Sequence, residues 1–219
     1  LQKLILDLRG NGGGILDQAV EIADEFLDGD KLITYTEGKH VDKKEYRCRR
    51  NGQFETGKLV VLADEGSASA SEILIGALQD WDRATIVGRR SFGKGLVQEQ
   101  FDLSDKSALR LTIARYYTPI GRSIQRPYTN GERAYYDEVS NRYHDPETTY
   151  ADSVKNNSGK AYKTKGGKTV YAKGGIAPDY FIAMDTSGFS KNSAAIYNKS
   201  TISSFAYNFY LQNQALIKT

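Results

Sequence analysis

Scarcity narrows the chemistry of this sequence first. A single cysteine, Cys48, among 219 residues excludes an intrachain disulfide and a metal site built from thiolates. It stands in Tyr46-Arg47-Cys48-Arg49-Arg50, where positive neighbours could lower a thiol pKa, but a strand or loop residue without chemistry is the simpler expectation. The two histidines, His40 and His144, lie in polar surroundings and are expected at the surface. Without H-E-x-x-H spacing they are a poor basis for zinc, and they leave a serine without its usual imidazole base. No apolar run approaches the roughly 18 to 20 residues of a membrane-spanning helix. An excess of one charge is also lacking: 30 basic and 27 acidic residues are interspersed, for a net charge of +3. A nucleic-acid surface is therefore not indicated.

What is present suits one sizeable core, or one domain with an appendage. Hydrophobic residues make up 39% and the mean hydropathy is −0.54, the composition of a soluble protein. The chain opens at Leu1 inside a strand-like run, which predicts a fragment of a longer protein.

Leu4-Ile5-Leu6-Asp7-Leu8 reads as a buried strand, followed by the loop Arg9-Gly10-Asn11-Gly12-Gly13-Gly14. Glycines this dense carry an entropic cost unless a close approach needs them. Neither Gly-x-Gly-x-x-Gly nor a Walker loop is matched, so nucleotide binding has little support. Apolar positions from Ile15 to Leu27 then predict a helix closed near Gly29. Lys31 to Tyr35 reads as a strand, and the polar stretch from Glu37 to Gly57 as a hairpin or loop. Lys58-Leu59-Val60-Val61-Leu62-Ala63 is short, aliphatic and β-branched, as a strand covered on both faces would be. Ala84 to Gly88 and Ala108 to Tyr117 are further strands. Strand and helix thus alternate through the first 125 residues without a sequence repeat, which predicts an α/β layered core. From 126 to 168 the composition turns to Tyr, Asn, Asp, Lys and Gly, predicting an inserted, largely exposed segment. Thr169-Val170-Tyr171 resumes a strand signal, and residues 190–219 carry apolar side chains at roughly helical spacing. The expected organisation is one core over 1–219, with the insert and a C-terminal helical tail.

Between the Lys58 strand and an apolar helix lies Asp64-Glu65-Gly66-Ser67-Ala68-Ser69-Ala70-Ser71-Glu72-Ile73. Free N–H groups at a helix start favour negative charge, so this turn suits an oxyanion. A plain helix cap explains the serines equally well. Serines two apart on a helix point roughly 200° apart, so Ser67 and Ser71 cannot share the aim of Ser69 and are better read as cap and packing residues. Glu72 fits a capping network and is assigned no chemistry. With both histidines expected at the surface, lysine is the other base able to activate a serine, where burial keeps part of it neutral. Lys94 is the candidate, between Gly93 and Gly95 with Phe92 before and Leu96-Val97 after, a setting expected to be poorly solvated. A loop lysine anchored at the surface is the alternative.

Taken together, Asp7 to Gly14, Ser67 to Ile73, Gly88, Phe92-Gly93-Lys94-Gly95 with Val97-Gln98, Tyr117-Thr118-Pro119, Gly121 to Gln125, and Gly174 to Asp179 resemble the carboxyl-terminal processing peptidases. These are also called tail-specific proteases, the S41 serine peptidases. The resemblance covers most of residues 1–125 and a patch near 165–180. It implies a ClpP/crotonase-like α/β core and cleavage of polypeptide substrates, often near their C-termini, with no metal or cofactor. Ser69 matches the family's nucleophile, Lys94 its general base and Gln98 the glutamine that orients the lysine. The oxyanion donors would be the N–H of Ala70 and that of Gly13 or Gly14, where a side chain would block approach. Implied as well are a PDZ domain ahead of the core in cis and a place in the bacterial cell envelope, in the periplasm or exported. A homo-oligomer stays open, as a contact that the insert could make. Two rivals remain: a catalytically silent peptide-binding or scaffold module of the same fold, and an acyl-CoA-handling enzyme whose glycine loop stabilises an enolate or oxyanion.

Overall fold

The computed structural model describes residues 1–128, 131–142, 159–172, 174–185 and 201–214. By internal contacts the chain divides into Leu1–Ala183 and Met184–Thr219. His144 and Ile196 lie outside the described residues.

Four strands of the first unit form a parallel sheet in the order β1-β4-β5-β10. They are β1 Lys3–Asp7, β4 Lys58–Ala63, β5 Thr85–Gly88 and β10 Tyr180–Phe181. β4 is central and aliphatic, with Leu59, Val61 and Ala63 buried. β1, expected to be buried, is an edge strand with Ile5 exposed, because it pairs on one side alone. A second, antiparallel sheet runs β3-β2-β7-β6. It consists of β2 Leu32–Glu37, β3 Lys44–Arg47, β6 Leu96–Asp102 and β7 Ala108–Tyr117.

Helix α2, Ala70–Asp80, is buried along its whole length, as expected of a helix that is apolar on most sides. Ile73, Leu74, Ala77 and Leu78 join a core with Ala23 and Phe26 near the end of α1 (Leu16–Asp24), Ile33 of β2, and Leu59 and Val61 of β4. The C-terminal end of α2 is tied down by polar contacts. Asp80 pairs with the buried Arg122, and Trp81 Nε1 donates to the Leu32 carbonyl at 2.8 Å. Burial pushes Asp80 up, opposed by Arg122. Cys48 is buried, and burial together with Asp24 pushes its thiol up to about 12; the surrounding arginines do not activate it.

Within the 126–168 stretch, helix α3 spans Gly131–Arg142, and β8 (Lys160–Lys163) pairs as an antiparallel hairpin with β9 (Thr169–Ala172), which lies just past it. In the second unit, helix α4 spans Thr201–Gln212, with Phe205 and Phe209 stacked at 6.2 Å.

Candidate active site

β4 enters the site and α2 leaves it; the sharp turn between them is fastened to the glycine loop after β1. Gly10 N–H donates to Asp64 Oδ1 at 2.8 Å, Ser67 Oγ to the Leu8 carbonyl at 2.7 Å, and Ala68 N–H to the Asn11 carbonyl at 3.0 Å. Ser71 Oγ donates to Asn11 Oδ1 at 2.9 Å. Ser67 and Ser71 therefore serve packing and stapling. Ser69 is the N-cap of α2, with φ 58° and ψ −118°. A non-glycine residue in that region carries about 1–3 kcal/mol of strain, which the fastened turn imposes.

Gly13 lies against this turn with φ +80°. A Cβ there would stand 2.6 Å from Ala70 N and 3.2 Å from Ser69 Cβ, so only glycine lets the loop approach so closely. Gly13 and Gly14, both candidate oxyanion donors, differ in the hydrogen bonding of their N–H groups. The Gly13 N–H is committed to Asn11 Oδ1 at 2.9 Å. The N–H groups of Gly14 and Ala70 have no hydrogen-bond partner among the described residues. Gly13, Gly14 and Ala70, with Ile15, Ile22 and Leu74, line a cavity of about 200 Å³.

The segment carrying Lys94 is anchored by a residue to which the sequence assigned no chemistry. Glu72, fully buried, accepts hydrogen bonds from Ser69 N–H (2.9 Å), Ser91 Oγ (2.5 Å), Gly93 N–H (2.7 Å) and Lys94 N–H (2.8 Å). One carboxylate thus holds the backbone of both Ser69 and Lys94. Burial pushes Glu72 above the usual carboxylate range, against the pull of these donors. The motif Ser-x-x-Glu signals the cap; the other three bonds reach residues about twenty positions later, with no local signal. On the loop's other side, Gly95 N–H donates to Gln125 Oε1 at 2.8 Å and Arg126 N–H to the Gly93 carbonyl at 3.0 Å.

Lys94 itself is exposed, although Gly93 and Gly95 are buried. The apolar neighbours that predicted a poorly solvated lysine do not enclose it, because the bonds that fix the loop are to its backbone and leave the side chain at the mouth of a cavity. That cavity, of about 460 Å³, is also lined by Gln98, which is exposed on β6 beside a bulge at Val97/Gln98. Lys94 Nζ makes no hydrogen bond to Ser69, Gln98 or any other described residue. His40 is exposed and makes no side-chain hydrogen bond among the described residues.

The description "Peptidase family S41" matches residues 1–131. The chain belongs to this family. A carboxy-terminal-processing protease of Bartonella bacilliformis is 47% identical over 125 residues, 57% of this chain and 29% of the relative. A carboxyl-terminal-processing protease of Synechocystis sp. is 46% identical over 123 residues, 56% of this chain and 28% of the relative. Among solved structures, the photosystem II D1 C-terminal processing protease superposes with a TM-score of 0.59 at 30% identity, covering 84% of this chain and 35% of that one. The S41 fold and the serine-peptidase family are thereby shown. This S41 chain spans under a third of the length of these curated relatives. No described helix is long and apolar enough to cross a membrane.

Proposed function

We propose that this chain is the core of a serine endopeptidase acting through Ser69 and Lys94. The observation that carries the proposal is the Glu72 carboxylate, which holds the Ser69 and Lys94 backbones at once, beside two unpaired N–H groups at Gly14 and Ala70. Neutral Lys94 Nζ takes the Ser69 Oγ proton as Oγ attacks the scissile carbonyl carbon. The oxyanion that forms accepts from Gly14 and Ala70. Collapse breaks the C–N bond, and the Lys94 ammonium returns its proton to the leaving amine. A water deprotonated by Lys94 then hydrolyses the acyl-enzyme and regenerates both groups. A lysine is a base only when neutral, and burial favours that form. The polypeptide that fills the cavity covers the exposed Lys94, and Gln98, on the same wall, orients it. Substrates are polypeptides cut near their C-termini, a PDZ domain in cis delivers them, and the site of action is the bacterial cell envelope.

The open contact between Lys94 and Ser69 favours one other reading, a catalytically silent peptide-binding module. A serine-directed acylating probe separates the two. Labelling of Ser69, abolished in both Ser69→Ala and Lys94→Ala, together with a loss of peptide cleavage of at least about 10³-fold, supports the peptidase. Wild-type turnover in Lys94→Ala would sink it.

A further inference from the structure

The cavity beside Lys94 has walls that the chemistry above does not use. Phe92, Tyr128, Tyr135 and Tyr136 line it, with Lys94, Gln98, Thr112 and Glu132 as polar neighbours. Tyr135 is the fixed centre: the rings of Phe92, Tyr128 and Tyr136 lie 6.3, 5.3 and 5.5 Å from it. The Arg126 guanidinium is held between Phe92 and Tyr135, at 4.2 and 4.0 Å, and its Nη1 donates to the Tyr135 carbonyl at 2.7 Å. Tyr128 and Tyr136 are 55% and 57% exposed, so their rings are available to an incoming group. An apolar, aromatic cavity with a few fixed polar groups is the usual form of a ligand site, and rigid rings bind at small entropic cost. Tyr135 and Tyr136 stand on α3, past residue 131 where the S41 match ends, so the match itself assigns them nothing.

Position decides which part of a substrate enters. In acyl transfer the base that takes the nucleophile's proton delivers it to the leaving amine, so the leaving half of the chain passes on the Lys94 side. The acyl half lies toward Gly14 and Ala70. We propose that this cavity is the subsite for the first residue on the leaving side of the scissile bond, and that it selects a large apolar side chain, aromatic above all. The proposal rests on the Ser69–Lys94 reading.

Two measurements test it. In digests of an unfolded protein such as casein, mass spectrometry reads the residue after each cut. Phe, Tyr, Leu and Met should be enriched there about tenfold over Ala, the discrimination available to an apolar pocket. The enrichment should vanish in Tyr128→Ala/Tyr136→Ala and return in Tyr136→Phe. Cuts that lack the enrichment, or enrichment that survives the double variant, overturn the subsite. Because a leaving fragment begins with the selected residue, the second arm needs no turnover. Calorimetry with the Ser69→Ala chain compares Phe-Ala-Ala-Ala-amide with Ala-Ala-Ala-Ala-amide. About tenfold tighter binding of the Phe peptide, lost in Tyr136→Ala, supports the cavity's preference for a large apolar side chain even if no cut is found; equal or absent binding overturns the subsite. Absence of cuts beside a clear Phe preference would sink the peptidase reading and with it the leaving-side assignment, leaving the cavity as a site for a large apolar side chain.

Discussion

Glu72 and Glu138 both bear on the segment that carries Lys94, one from inside the core and the other from α3. Glu72 has no cation against it among the described residues and takes three backbone N–H groups and a hydroxyl. Glu138 gathers Arg90, Arg126 and Arg142, and Arg142 in turn donates to the Ser91 carbonyl at 2.8 Å and the Phe92 carbonyl at 3.3 Å. The loop is thus held by its N–H groups from one side and by its C=O groups from the other. Their ionisation moves oppositely. Burial pushes Glu72 up; burial acts on Glu138 too, but Arg142 and Arg126 outweigh it and bring it down to about 2. The core clamp lies within the S41 match, whereas Glu138 and Arg142 lie past its end. The loop around Lys94 is thus held from within the matched stretch by Glu72 and from past it by Arg142.

Glu72→Gln should produce the largest effect of breaking this arrangement. Its amide NH₂ would oppose N–H donors that now find an acceptor, and each buried donor left unmade costs about 1–3 kcal/mol. A stability loss of about 3 kcal/mol in urea denaturation is expected, with kcat down roughly 100-fold and KM little changed, since Ser69 and Lys94 lose their common anchor. Full activity in a folded Glu72→Gln would show that the core clamp is dispensable. Glu138→Gln should cost less, about 1 kcal/mol at pH 7, because solvent reaches a carboxylate that is 40% exposed. Its pH signature is specific. A carboxyl held below its unfolded value of 4.5 contributes stability that is present above that value and lost as pH falls toward about 2. Thermal denaturation across that window should show a steeper acid loss in the wild type than in Glu138→Gln, and parallel curves would refute the assignment. Arg133→Ala should do least. Its side chain is 95% exposed and faces Asp137 at 3.7 Å on the same helix, so no measurable change in Tm or turnover is expected; a clear loss would mean that α3 depends on more than Arg142 and Glu138.

The close meeting of the turn after β4 with the glycine loop was legible in the sequence because it demands residue types: small side chains on the turn and no Cβ at Gly13. The alternation of aliphatic runs likewise indicated β4 and α2 before any coordinate. What stayed hidden depends on distant partners. Lys94 stands exposed because Glu72, Gln125 and Arg126 fix the backbone around it, an arrangement that neighbouring apolar letters misrepresent. Glu72 looked like a cap because its other bonds reach another segment. β6, Leu96–Asp102, went unread because an edge strand over polar surroundings has few buried positions, and its residues Val97-Gln98-Glu99-Gln100 lack apolar alternation.

The parallel pairing of β1 with β4, Lys3 opposite Lys58, also shapes how the site comes into being. Parallel neighbours cannot be joined by a tight turn, and closing so long a stretch of chain costs entropy before any contact rewards it. The strand–turn–helix bearing Ser69 is local and can form early, whereas the glycine loop arrives with the docking of β1. Contact between the Ser69 turn and the glycine loop therefore depends on a long-range docking that neither segment makes alone.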